Sequence, residues 1–252
     1  MTEFSIIIAN REFGVQAMLP STRDYCRDYL TQAQPERIIA INEADLAFER
    51  EKSIREDQIE GLAPRNFSDA YLETIALQRK LAEHLFDWDT LLFHGSVIAV
   101  DGVGYLFTAK SGTGKSTHTR LWRQRFGARA VMVNDDKPFL QITESGVWAY
   151  GSPWNGKHGL GTNIRVSLKA ICILERGEQN QIQSIPAKDT VKMLLQQSNR
   201  PQNPAKVLKY LELVDRLAKN MAFYRLHCNM EPEAAAVAYE AMSQPGEKEK
   251  KV

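Results

Sequence analysis

One stretch constrains this chain more than any other. Gly104 to Thr108 (GYLFT) reads as a strand, and Ala109-Lys110-Ser111-Gly112-Thr113-Gly114-Lys115-Ser116 follows it directly. Thr117 to Phe126 then carries a helical pattern. The eight central residues fit the phosphate-loop pattern G-x-x-x-x-G-K-[ST], with Ala109 standing where the looser form allows a replacement for the first glycine. Gly112 and Gly114 can take positive φ and turn backbone N–H groups toward phosphate oxygens. The helix start behind them adds a further anion site. Lys115 is of the type and position that reaches β- and γ-phosphates, and Ser116 offers a hydroxyl to Mg²⁺. Thr117 can join the phosphate contacts from the first helical turn. Residues Ala109 through Thr117 are therefore the expected nucleotide-binding segment, and strand–loop–helix order points to an α/β fold.

Composition narrows the partners. The chain has 252 residues, 43% of them apolar and 25% charged, which suits one or two soluble globular domains. Lys and Arg total 32 against 31 Asp and Glu. A net charge of +1 supplies no electrostatic attraction to nucleic acid or to an anionic membrane, so neither is expected as partner. Cys26, Cys172 and Cys228 are far apart, which fits neither a disulfide framework nor a zinc site. The opening MTEFSIIIANREF lacks the basic and apolar regions of a signal peptide, and no run of about 18 apolar residues occurs. The expectation is a reduced, cytoplasmic, soluble protein.

The first region, 1–67, reads as short strands and turns, with Ser5–Ala9 and Arg37–Ile41 as strands and the charged Glu49–Arg65 as a loop or solvated connection. Ser68 and Asp69 offer an N-cap to a helix ending near Asp87, and a nucleotide-binding core spans 68–243. Leu91–Val100 reads as one strand, turned at Asp101-Gly102 into the next. Ala130–Val133, Phe139–Ile142, Val147–Tyr150 and Leu168–Leu174 follow as strands. Asp189–Gln197 and Ala205–Met221 read as helices, the second with Val207, Leu211, Val214 and Met221 on one face. Ala222–Cys228 reads as a strand, and Pro232 opens a final Ala-rich helix. Residues 244–252 are charged and poor in apolar side chains, the composition of a disordered tail.

The second chemical signal is Asn134-Asp135-Asp136, where an apolar strand runs into two carboxylates. Such a strand end projects a carboxylate toward nucleotide-bound Mg²⁺. Adjacent acids allow one to serve the metal and the other to act as base toward a hydroxyl. An Asx turn at a strand end would use the same residues. His94, in an apolar segment before the loop, is by itself most simply a packed histidine.

Together, His94-Gly95, the Asp101-Gly102-Val103-Gly104 turn, Ala109–Ser116 and Val133–Asp136 resemble the C-terminal catalytic domain of HPr kinase/phosphorylase. The nucleotide core is also similar to that of phosphoenolpyruvate carboxykinase. The resemblance implies a mixed-sheet P-loop kinase core with flanking helices and a small N-terminal β-containing region. It implies Mg-ATP as cofactor, Asp135 or Asp136 as general base on a hydroxyl, the other near Mg²⁺ with Ser116, and His94 beside the pair. The catalytic set expected from it is Asp135, Asp136, His94 and Lys115, with Asp136 as the metal-side carboxylate. That family forms oligomers through this core, which makes a homo-oligomer compatible with the resemblance. The glycine-rich signature by which it holds its protein substrate has no counterpart here, so the acceptor could be protein, peptide or metabolite.

Tyr150–Asn163 (YGSPWNGKHGLGTN) is a further polar cluster. Trp154, Asn155, Lys157 and Arg165 form a candidate substrate or phosphate loop, in which Trp154 could give a rigid wall and Lys157 a charge for a transferring phosphoryl group. Arg165 and Arg176 are candidates to clamp the γ-phosphate. The function expected is ATP-dependent phosphoryl transfer to a hydroxyl. The rival readings are a non-catalytic ATP-binding regulatory module and a carboxykinase-like enzyme.

Overall fold

The structure is a computed structural model that describes residues 1–110 and 112–244. Ser111 of the glycine loop and the tail from 245 onward lie outside the described residues. The chain divides into two compact units, Met1–His84 and Leu85–Val252.

In the first unit, β1 (Thr2–Ile8) and β2 (Arg11–Ala17) form an antiparallel hairpin. Helix α1 (Pro20–Tyr25) leads to β3 (Leu30–Thr31) and β4 (Arg37–Ala40), completing a sheet of order β3-β1-β2-β4. The segment Glu49–Arg65, read as a loop, is instead largely helical: α2 spans Glu43–Glu60. Its ends were written in the sequence. Asn42 and Asp45 form a reciprocal capping box, and Gly61 closes the helix at φ 68°. What hid it was the absence of an apolar stripe. Only Leu46, Glu49 and Asp57 are buried, so charge pairs replace hydrophobic packing.

The division falls at 84/85, so helix α3 (Asp69–Leu85) lies in this unit up to His84. Glu73 is fully buried and accepts hydrogen bonds from the backbone N–H groups of Met18 and Leu19 and from the Thr22 hydroxyl. Arg79 pairs with Asp45 and Glu49, and Lys80 reaches Asp45 and the Ala40 carbonyl. These long-range polar contacts have no local sequence signature.

The second unit contains β5 (Thr90–Leu92), β6 (Ser96–Val100), β7 (Val103–Thr108), α4 (Lys115–Phe126), β8 (Ala130–Asn134), β9 (Phe139–Thr143), β10 (Gly146–Tyr150) and β11 (Arg165–Arg176). They are followed by β12 (Gln181–Ser184), α5 (Val191–Gln197), α6 (Val207–Asn220), β13 (Ala222–Cys228) and α7 (Glu233–Met242). Among the described residues these strands form one mixed, curled sheet of order β5-β9-β10-β11-β7-β6-β8, with β13 on β11 and β12 on β13. Strand β7 runs parallel to β11 and antiparallel to β6, and β8 is antiparallel to β6. The carboxyl ends of β7, β8, β11 and β13 thus share one edge. The Asp101-Gly102 turn takes φ of 51° and 80°, the mirror-image turn that suits a hairpin's twist.

Two local readings change. Leu91–Val100 is broken into β5 and β6 at Phe93–Gly95, because β5 pairs with β9 whereas β6 pairs with β7 and β8. Helix α6 buries Tyr210, Leu213, Val214 and Leu217, leaving Val207 and Leu211 exposed. The buried stripe is therefore rotated from the one read in the sequence.

Helix α4 is fixed to the sheet by aromatic packing. Trp122 is fully buried among Tyr105, Phe107, Phe126 and Tyr239, with ring centroids 5.0 to 5.7 Å apart. Its Nε1–H donates to His118 Nε2 at 3.0 Å. His118 Nδ1 is buried without a hydrogen-bond partner, and burial pushes the imidazole pKa down to about 3. The unfolded chain binds this proton below about pH 6.5, whereas the folded chain resists it until about pH 3. Stability contributed by neutral His118 is full above pH 6.5 and falls as pH drops through that window. Urea unfolding should show a loss of about 2 kcal/mol between pH 7.5 and pH 5 from this group. The His118→Gln variant should lose that part of the pH dependence; an unchanged slope would refute it.

Candidate active site

The glycine loop joins the carboxyl end of β7 to the amino end of α4. Gly112 and Gly114 take φ of 75° and 122°, conformations that side-chain-bearing residues rarely adopt. Helix α4 starts at Gly114 with no side-chain cap and no acid in its first turn. Its orphan N–H groups and positive dipole end are thus left for an external anion. Lys115 is half-buried and folds back so that Nζ lies 3.4 Å from the Ala109 carbonyl. Burial lowers its pKa, against the pull of the nearby Asp136 carboxylate. Ser116 and Thr117 follow in the same turn. Lys110 is exposed.

At the neighbouring strand end, β8 delivers Asn134, Asp135 and Asp136. The turn there is an Asx turn, and Asn134 alone makes it. Its Oδ1 accepts from the backbone N–H groups of Asp136 at 2.8 Å and Lys137 at 2.6 Å. Both aspartate side chains are thereby released from turn-making.

The strand break at Phe93–Gly95 brings in His94. The Gly95 N–H donates to the Asp136 carbonyl at 3.0 Å, and Ser96 Oγ donates to the Asp135 carbonyl at 2.8 Å. A Cβ on Gly95 would lie 3.0 Å from both Leu106 and the Phe107 carbonyl, so glycine eases this approach. His94 Nε2 then lies 3.3 Å from Asp136 Oδ1.

The two carboxylates differ. Asp136 is half-buried; burial raises its pKa, but His94, Lys137 and Lys115 outweigh it and hold the group below the ordinary carboxylate range. His94 gains from its bond to Asp136, yet burial with Lys137 and Lys115 leaves its pKa below normal. Asp135 is 4% exposed. Its Oδ1 accepts from the Gly156 N–H, while Oδ2 is buried without a hydrogen-bond partner. Burial raises its pKa, opposed by backbone donors at Gly156 and Leu160. Paired acids pushed in opposite directions are suited to different roles.

The loop from Gly151 to Asn163 lies against this pair and is tied to it by Asn134. Asn134 Nδ2 donates to the Ser152 carbonyl and hydroxyl and to Asn155 Oδ1, all at 3.0–3.1 Å. Asn155 is thus engaged with Asn134. Trp154 is buried and meets Phe139 edge-on. Lys157 and His158 are exposed at the loop's outer turn.

The two arginines separate. Arg176 Nη2 donates to the Gly112 carbonyl at 2.8 Å. Arg165 stands at the opposite end of β11, about 35 Å of strand away at about 3.3 Å per residue, and its guanidinium stacks on Trp148 at 3.8 Å. The expected site residues that come together among the described ones are therefore Ala109, Lys110 and Gly112–Thr117 on one side and His94, Asp135 and Asp136 on the other, with Trp154, Asn155 and Lys157 on the adjoining loop. Arg165 lies apart. Sequence reasoning gave Asn134 no role of its own. The available signal was an asparagine immediately before the acidic pair at a strand end.

No family model matches the chain, and no curated protein sequence matches it. Among solved structures, the HPr(Ser) kinase/phosphatase from Coxiella burnetii aligns with 60% of this chain and 95% of its own, at 10% identity and a TM-score of 0.35. A likeness of that size carries no argument about activity. Among the described residues, no helix is long and apolar enough to cross a membrane.

Proposed function

We propose that the protein is a Mg-ATP-dependent kinase that transfers the γ-phosphoryl group to a hydroxyl-bearing acceptor. One observation carries this reading. An uncapped helix start bearing Lys115 faces the field of a strand-end acidic pair in which one carboxylate meets His94 at 3.3 Å and the other is buried with an orphan oxygen.

The residues present fit the nucleotide. The loop glycines and the first turn of α4 offer backbone donors to phosphate, and Lys115 offers a cation. A Cβ on Gly112 or Gly114 would meet nothing within 4 Å, so glycine serves backbone conformation there and not close packing. Ser116 and Asp136 would hold Mg²⁺. Among the described residues no cluster of three or more His, Cys, Asp or Glu stands ready for a metal, which suits an ion that takes most of its ligands from phosphate and water. Bound Mg²⁺ would neutralise charge developing on the transferred group.

Asp135 is the base in this reading. Its Oδ2 lacks a donor, and an acceptor hydroxyl is a donor. The raised pKa favours taking that proton. Oδ2 is covered, so the acceptor must uncover it on entering. His94 keeps Asp136 oriented, and Arg176, bonded to the Gly112 carbonyl, would follow the γ-phosphate.

The test is incubation with γ-labelled Mg-ATP and cell extract, followed by separation of proteins from small molecules. Wild-type protein should place label in one fraction, and the Lys115→Ala variant should not, its nucleotide affinity falling about 10- to 100-fold with loss of one charge-assisted phosphate contact. ATP binding without transfer to any fraction would overturn the kinase reading and leave a nucleotide-binding module.

A further inference from the structure

We infer that Asn134 is a positioning residue, joining the acidic strand end to the adjoining loop so that the Gly156 N–H holds Asp135 in place. This rests on the kinase reading for its catalytic consequence, but not for its structural part.

The side chain is fully buried, and both ends of its amide are used. The assignment of the amide is fixed by its partners. Backbone N–H groups of Asp136 and Lys137 can only donate, so Oδ1 faces them. The Ser152 carbonyl can only accept, so Nδ2 faces it. One residue therefore shapes the turn that presents Asp136 and also grips Ser152 and Asn155, the loop segment just before Gly156. Gly156 in turn donates to Asp135 Oδ1, which leaves Oδ2 as the only free oxygen of that carboxylate.

Two close approaches show that the loop is built around this amide. A Cβ on Gly161 would fall 2.1 Å from Asn155 Oδ1, the atom that accepts from Asn134. The Gly161 backbone also bridges to Asn134 directly. On the other side, a Cβ on Gly156 would lie 3.3 Å from Asp135 Oδ2. Without the Asn134 donors, the loop would keep its backbone anchor at Thr162 and the bond from Ser152 Oγ to the Lys137 carbonyl, but lose the tie to Asn155 beside Gly156.

The experiment separates the two halves of the amide. Asn134→Asp keeps an oxygen for the Asp136 and Lys137 N–H groups but cannot donate to the Ser152 carbonyl. Asn134→Ala removes both functions. Amide hydrogen exchange followed by NMR should show Gly156 exchanging about tenfold or more faster in Asn134→Asp, while Asp136 and Lys137 stay protected. In Asn134→Ala all three should exchange faster. In the same Asn134→Asp protein, kcat should fall about 30-fold with KM for ATP within about twofold of wild type. General destabilisation would not produce that site-by-site exchange pattern or that split.

Unchanged Gly156 exchange in folded Asn134→Asp overturns the inference. So does unchanged kcat alongside faster exchange, which would make the contact structural only. If neither Asn134 variant folds, Asn155→Ala decides: faster Gly156 exchange supports the joint, and unchanged exchange overturns it. If the wild type transfers no phosphoryl group, the kinase reading falls by itself, and the exchange pattern still decides whether Asn134 holds the loop.

Discussion

Asp135→Asn is expected to lower kcat by about 10³-fold while leaving the Kd for Mg-ATP within about threefold of wild type. The amide keeps the shape of the carboxylate and can still accept from the Gly156 N–H. It cannot take a proton. Asp136→Asn should behave differently, because Asp136 interacts with His94 and Lys115 on the nucleotide side. That variant should lose nucleotide affinity as well as turnover. Single-turnover kinetics and calorimetric titration distinguish the two patterns, and normal turnover in Asp135→Asn would remove the base assignment.

The same substitution predicts the pH response. Burial raises the Asp135 pKa, so the acid limb of the wild-type rate profile should lie above the ordinary carboxylate range. Activity should fall as pH drops through that raised value, and the limb should be absent from residual Asp135→Asn activity. Stability moves the other way. A carboxyl whose folded pKa is raised becomes less favourable to the fold as pH rises through its unfolded value. Removing that buried charge should leave Tm at pH 7 equal to or above wild type, the stability–activity opposition expected of a catalytic group.

Gly151→Ala should produce the largest loss of stability. A Cβ there would lie 2.0 Å from the Thr162 carbonyl oxygen and 2.9 Å from the Val133 carbonyl oxygen. Both obstacles are backbone, and the Val133 carbonyl is already bonded to the Thr162 N–H at the base of the acidic pair. Neither can swing aside as a flexible side chain would. A cost of about 3 kcal/mol or more is expected, lowering Tm by roughly 10 °C for a unit of this size. Gly159→Ala is the control. It sits at φ 59° with nothing within 4 Å of its Cβ, so only backbone strain of about 1 kcal/mol applies. Thermal unfolding of the two variants checks the contrast, and equal Tm values would show that the strand and loop separate easily.

Where chemistry and conformation are local, the sequence alone determined the outcome. Two glycines before a lysine make a loop needing positive φ at the mouth of a helix, and the flanking patterns placed a strand before it and a helix after. Asp101-Gly102 specified its hairpin, and apolar Val131–Val133 ended a strand at the acids. Even the capping box and terminal glycine of α2 were legible, although no apolar stripe drew attention to them.

Tertiary structure decided the rest, because the deciding contacts join residues distant in sequence. His94 stands beside Asp136 because a strand changes partners and Gly95 lets two backbones approach. Arg176 lies at the glycine loop and Arg165 does not, because β11 runs parallel to β7 and carries them to opposite ends. Asp135 and Asp136 are adjacent and chemically identical in sequence. Only folding buries one beneath Gly156 and sets the other against His94 and Lys115, and solvation and neighbouring charge, not residue type, give them different acidities.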